Sequence, residues 1–304
     1  MPGLARQPAA AAKATTNAFR IGGDLEVGRL GFGAMGLVGP DVYGEPLNPA
    51  NSLAVLRRAV ELGVDLIDTA EAYGPEINER QIAEALAPYS PHLVVATKCG
   101  IDRRARDWGQ TRSKGSPAQI RASCEGSLRR LRLHRIDLYQ LHRIDPAVPI
   151  EDSVGALAEL QREGKVRHIG LSEVSVEQLE RARKVAAIAT VQNRYNVADR
   201  EHEAVLDHCE ANGIGFIPWY PLGSGLLCAQ GGPLDSIARR VGVTRSQVAL
   251  AWLLARSPVM LPIPGTGAMR HLEENLAAAQ VDLTGSDMAE LDLLAAYRLQ
   301  ALGR

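Results

Sequence analysis

The sequence predicts a closed (β/α)8 TIM barrel, and three observations carry that expectation. Eight short apolar runs recur along the 304 residues, each bounded by polar or turn-forming residues. Segments with apolar residues at helical spacing separate them, and regular strand–helix alternation calls for a parallel sheet sheathed in helices. Three runs also end on a polar residue: Asp68 after Val64-Asp65-Leu66-Ile67, Lys98 after Leu93-Val94-Val95-Ala96-Thr97, and His142 after Ile136-Asp137-Leu138-Tyr139-Gln140-Leu141. The C-terminal ends of barrel strands are where this architecture gathers reactive groups.

The elements follow in order. Residues 1–18 are Ala-rich, with Arg6 and Lys13, and lack the continuous apolar stretch of a secretion signal, so a disordered tail is expected ahead of one barrel domain over 19–304. Phe19-Arg20-Ile21 and Leu25-Glu26-Val27 flank Gly22-Gly23, which reads as a hairpin that plugs one barrel end. Barrel strands are expected near 30–32, 66–68, 94–98, 138–142, 169–172, 190–192, 216–219 and 261–264. Helices are expected over 52–62, 81–86, 117–131, 153–161, 176–184 and 201–212, several opening on Ser or Pro as helix starts do. The segments 234–241 and 246–255 supply one helix more than an ideal barrel needs, and 285–294 adds a last one, so the barrel carries extra C-terminal helices.

Composition narrows the function classes. A chain that is 46% hydrophobic buries a large core, and a formal net charge of -1 gives no long-range attraction for nucleic acid or anionic membrane. A small-molecule partner fits better. Cys99, Cys124, Cys209 and Cys228 lack metal-site spacing and read as reduced thiols in a cytoplasmic setting. No run approaches the length of a membrane helix. His202 and His208 are not spaced for one helix face, so no metal site is expected.

Asp68, Tyr73, Lys98 and His142, together with Gly31-Phe32-Gly33-Ala34-Met35-Gly36, Asp68-Thr69-Ala70-Glu71-Ala72-Tyr73-Gly74, Gly164-Lys165-Val166-Arg167-His168-Ile169-Gly170-Leu171-Ser172 and Ile263-Pro264-Gly265-Thr266, resemble the aldo-keto reductase family. The resemblance runs from about Phe19 to about Leu294, and the local text is similar to compact bacterial members associated with pyridoxal and general aldehydes. It implies reversible, NADPH-dependent reduction of an aldehyde or ketone to the alcohol. Carbonyl reduction needs a general acid within reach of the carbonyl oxygen, and Tyr73 is the expected donor. Lys98 is expected to lower the phenol's pKa, Asp68 to orient Lys98, and His142 to hydrogen-bond the substrate oxygen. The alternative in a different class is a catalytically weak, cofactor-sensing subunit of the same fold.

No Gly-x-Gly-x-x-Gly opens a helix after the first strand, so the route to a nucleotide is not the Rossmann one. The resemblance implies a nicotinamide dinucleotide across the barrel mouth instead. Gly33, Ala34 and Met35 form a strand-to-loop turn along it, beside Asp68. Ser172 and Gln192 take the carboxamide positions, Trp219 the stacking position, and Pro221, Leu222, Gly223 and Ser224 approach the pyrophosphate. Gly265, Thr266, Arg270, His271, Glu274 and Asn275 match the adenosine-phosphate end, with Arg270 or His271 as the cation that favours NADPH over NADH. Two departures stand out: Glu173 replaces the usual Asn after the Ser, and Gly265 replaces the usual basic residue after Pro264. The connection 222–232 is short, which implies an exposed cofactor. Tyr43, Trp108 and Tyr195 are expected as substrate-pocket walls.

Overall fold

The computed structural model describes residues 18–229 and 231–301. Of the tail expected over 1–18, residues 1–17 lie outside them, and Ala18 belongs to a strand. Strands β1 (Ala18–Ile21) and β2 (Leu25–Gly28) pair antiparallel around Gly22 and Gly23, whose φ values of 62° and 86° are the left-handed ones this turn requires. Ile21 and Val27 are fully buried against Leu66, Val94 and Leu138 inside the barrel, so the hairpin plugs the end where the strands begin.

Seven parallel strands follow in the order β3 (Phe32–Gly33), β4 (Leu66–Asp68), β5 (Val94–Cys99), β8 (Ile136–Leu141), β9 (Val166–Ser172), β10 (Ile188–Gln192) and β11 (Gly215–Phe216). A small antiparallel ribbon, β6 (Ile101–Asp102) with β7 (Arg112–Ser113), extends from the end of β5. Residues 259–264 fill the eighth position. Phe216 N donates to Val259 O and Leu261 N to Phe216 O on one side, while Gly31 N donates to Pro262 O and Gly33 N to Pro264 O on the other. Pro262 and Pro264 have no N–H to return toward β3, so this staple closes the barrel without a regular ladder. An added Cβ on Gly33 would lie 2.6 Å from Ile263 O, and one on Gly265 would lie 2.5 Å from Gly33 O, so this close approach needs both glycines.

The outer layer comprises α1 (Pro49–Glu61), α2 (Ile77–Leu86), α3 (Pro117–Leu131), α4 (Ile150–Arg162), α5 (Val176–Arg183), α6 (Glu203–Asn212), α7 (Asp235–Val241), α8 (Arg245–Arg256), α9 (Met269–Ala277) and α10 (Gly285–Ala301). Capping boxes at Ser116/Gln119, Ser175/Gln178 and Thr244/Gln247 start α3, α5 and α8 by satisfying free N–H groups of the first turn. Helix α9 lies outside the segments expected to be helical from sequence. No helix among the described residues is long and apolar enough to cross a membrane. Burial pushes the unpaired Cys124 and Cys209 thiols up to about 12, so both stay protonated.

Strand pleating sorts the side chains into two layers. In β5, Val95 packs outward beneath the helices while Val94 and Ala96 face the barrel interior, and period two carries Lys98 inward as well. The same rule turns Leu138 and Gln140 inward from β8. The interior is therefore apolar near the hairpin and polar at the C-terminal ends.

Candidate active site

Separate elements deliver the site residues to one barrel end. β4 ends on Asp68, β5 carries Lys98 next to its last residue, and His142 directly follows β8. Tyr73 lies in the turn after β4, beside the isolated parallel bridge between Tyr43 and Gly74. Lys98 Nζ sits 2.5 Å from Asp68 Oδ2, 2.8 Å from Thr69 O and 3.3 Å from Tyr73 Oη. Its side chain is fully buried, and its protons face an acceptor set that matches an ammonium. Asp68 Oδ1 accepts from Gln140 Nε2 at 3.2 Å and from Gln192 Nε2 at 2.9 Å. The rings of Tyr73 and His142 meet edge to face with centroids 5.9 Å apart. The structure thus brings all four expected residues together.

Burial disfavours the Lys98 ammonium, yet Asp68 and Tyr73 hold its pKa above the usual lysine value. Burial also pushes the Tyr73 phenol up, and the Lys98 charge that pulls it down does not overcome this. The expectation of a lowered phenol pKa is corrected by that balance, because a buried hydroxyl loses the water that would solvate a phenolate. Tyr73 keeps its proton at neutral pH, which is the state a donor needs. Burial, with help from the Lys98 and Arg143 cations, drives His142 well below the usual imidazole value. The ring is neutral, and its Nδ1 is buried with no hydrogen-bond partner among the described residues.

The expected cofactor residues gather at the same end. Ser172 ends β9, Gln192 ends β10, and Trp219 follows β11 in a bridge to Arg194. Ser172 Oγ accepts from Arg143 Nη1 at 3.3 Å. Glu173, in the left-handed region at φ 56°, accepts from Trp219 Nε1 at 2.5 Å and from Arg194 N at 2.8 Å. The unusual Glu therefore holds the indole, while both amide atoms of Asn193 pair with the Val174 backbone. Pro221 is buried and Leu222 half-buried; beyond them, Gly223, Ser224 and Gly225 have φ values of 60°, 52° and 86°. Ala34 is buried and Met35 exposed. Past the eighth segment, Gly265 is exposed and Thr266 half-buried, Arg270 and His271 are exposed on α9, Glu274 pairs with Arg270 at 2.6 Å, and Asn275 is buried.

One expected pocket wall is corrected. Tyr195 is fully buried, stacked on Trp252 and edge-on to Phe216, and its hydroxyl donates to Glu203 at 2.5 Å. It belongs to the layer between barrel and helices, because β10 has ended and Tyr195 points outward. Tyr43 and Trp108 do lie together on the mouth loops, with the buried Arg103 guanidinium 3.8 Å from the Trp108 ring and 5.5 Å from that of Tyr43. Sequence reasoning overlooked Gln140 and Arg143. Gln140 was findable, since it lies two residues before His142 on an inward-facing strand row.

The strand ends of this barrel thus bring a buried Asp–Lys pair against a Tyr that keeps its proton and a neutral His. The chain belongs to the aldo/keto reductase family, whose profile matches residues 29–296, and it is an oxidoreductase. It is 43% identical over 284 residues to a pyridoxine 4-dehydrogenase of Escherichia coli, covering 91% of this chain and 98% of that protein. It is 45% identical over 271 residues to an uncharacterised oxidoreductase of Schizosaccharomyces pombe, covering 89% of this chain and 87% of that one. Among solved structures, an aldo/keto reductase from Klebsiella pneumoniae in complex with NADP and acetate superposes with a TM-score of 0.78 at 28% identity, covering 92% of this chain and 95% of that one.

Proposed function

We propose that this chain reduces an aldehyde to the alcohol with NADPH, and that aldehydes of the pyridoxal type are among its substrates. The observation that carries the reading is Lys98, buried and held between Asp68 and Tyr73 Oη. Reduced nicotinamide, when bound, supplies the hydride that adds to the carbonyl carbon. Tyr73 Oη gives its proton to the carbonyl oxygen, Lys98 stabilises the phenolate left behind, and solvent returns the proton. Neutral His142 offers a ring N–H to the same oxygen as its charge develops. Asp68, fixed by Gln140 and Gln192, keeps the Lys98 ammonium in place.

The residues present suit an extended dinucleotide. Ser172 and Trp219 lie at one barrel end, the left-handed backbone at 223–225 resembles turns that offer N–H groups to phosphates, and exposed Arg270 and His271 stand ready for a 2′-phosphate. The relative named for pyridoxine oxidation and the neighbour holding NADP support the substrate type and the coenzyme. The test is steady-state NADPH oxidation with pyridoxal, methylglyoxal, nitrobenzaldehydes and simple ketones. Turnover of an aldehyde is the expected result. Tight NADPH binding with undetectable turnover across the panel would instead favour a cofactor-sensing subunit.

A further inference from the structure

Arg143 stands out once the charges of the site are added up. Lys98 is matched by Asp68, and His142 is neutral, so the positive charge left over at the proton-transfer centre is the guanidinium of Arg143. That guanidinium is half-buried. Its Nη1 donates to His142 O at 2.7 Å and to Ser172 Oγ at 3.3 Å, and its centre lies 5.9 Å from the Trp219 ring. Among the described residues it has no carboxylate within ion-pair distance, and neither Nε nor Nη2 makes a hydrogen bond. Glu173 is the nearby acid, but its Oε1 is committed to Trp219 and Arg194. Other burdened arginines are treated differently: Arg130 pairs with Glu79 at 2.6 Å, and Arg103 is enclosed by the carbonyls of Asp41, Val42 and Arg106.

Burial lowers the pKa of Arg143, a shift that the charge of Glu173 offsets only in part, and its field reaches both the Tyr73 phenol and the His142 ring. Half-burying a guanidinium with Glu173 as a nearby charge but no direct ion pair is costly unless an anion comes to it. The geometry fits such an anion. Guanidinium donors in a planar fork suit a carboxylate or another anionic oxygen, and the fork adjoins the histidine that would hold the carbonyl oxygen.

Resting on the reductase reading above, we propose that Arg143 determines substrate specificity, selecting carbonyl compounds that carry an anionic oxygen beside the reacting carbon. A 2-oxo acid presents that oxygen as a carboxylate, and an aromatic aldehyde with a neighbouring hydroxyl presents it as a phenolate. Arg143 binds the anion and takes no proton, so the hydride and proton steps are those already described.

The experiment compares matched pairs on wild type, Arg143→Gln and Arg143→Lys. One pair is phenylglyoxylate with its methyl ester, and the other is pyridoxal with pyridine-4-carboxaldehyde. Gln keeps donors for His142 O and Ser172 Oγ but removes the charge; Lys keeps the charge but not the fork. The ratio of kcat/KM for the anionic member to that for its neutral partner should fall about ten- to a hundredfold in Arg143→Gln for at least one pair, chiefly through KM, because charge-assisted hydrogen bonds are worth that much. Arg143→Lys should recover part of the ratio. The pair that responds identifies the anion. If both ratios stay within about twofold of wild type, including the case in which both members fall together, Arg143 is not a selector. A wild-type enzyme that reduces only the neutral members also overturns the proposal, without touching the reductase reading. Failure to reduce any of the four removes both.

Discussion

Glu71 shows how strongly the neighbourhood of Tyr73 is shaped by burial. Its carboxyl is pushed up to about 7 by burial, against the pull of Lys114 at 3.7 Å, Ser123 Oγ at 3.0 Å and Arg130 at 3.9 Å; Glu79 adds a like charge. Between about pH 4.5, where an unfolded glutamate ionises, and about pH 7, the folded protein binds the extra proton. Folding stability therefore falls as pH rises through that window and stays lowered above it. Glu71→Gln removes the titration, so the wild type should lose about 3 kcal/mol more than the variant across the window, as read by denaturant unfolding. Equal losses would mean that Glu71 ionises normally. The buried Asp68–Lys98 pair is evidence of fixed geometry more than of stability, since desolvating two charges can cancel their attraction.

At the scale of elements, the β1–β2 hairpin acts as a plug. Ile21 is fully buried against the first interior layer, so Ile21→Ala should destabilise by about 2–5 kcal/mol in urea unfolding, with little change in the denaturant slope. A loss under about 1 kcal/mol would show that the hairpin rests on the barrel without sealing it. Much of this level was legible in the chain. The Gly22-Gly23 turn placed the hairpin, and the two-residue period that makes Val94 and Ala96 apolar is the same one that turns Lys98 inward. The eighth segment was located by its apolar run, but its irregular pairing follows from Pro262 and Pro264 meeting β3 and β11 together, which only closure of the barrel reveals. Helix α1 starts at Pro49, earlier than expected, because Asn48 caps it through Asn51 N.

Across the whole molecule, residues far apart in sequence converge on one barrel mouth, and that convergence sets the limit of legibility. Asp68, Tyr73, Lys98 and His142 were readable because each ends or closely follows an apolar run. The pairing of Glu173 with Trp219, the burial of Tyr195 under α8 and the lack of a direct ion pair for Arg143 among the described residues depend on contacts across space, for which the local sequence gives no sign. The cofactor reading spans the same distance, from Ser172 to α9. Arg270 is exposed and, among the described residues, is held only by Glu274, so Arg270→Ala should weaken NADPH binding about fivefold while leaving NADH binding nearly unchanged, by fluorescence titration at low salt. Equal weakening of both coenzymes would move the 2′-phosphate contact elsewhere.

The most direct measurement is on Tyr73→Phe, which keeps the ring and its edge contact with His142 but deletes the proton that must reach the carbonyl oxygen. With the best aldehyde from the panel, kcat should fall about a hundred- to ten-thousandfold while the dissociation constant for NADPH stays within about twofold. A Tyr73→Phe enzyme that turns over near the wild-type rate would contradict the assignment of Tyr73 as proton donor and, with it, the reductive mechanism built on the Asp68–Lys98–Tyr73 chain.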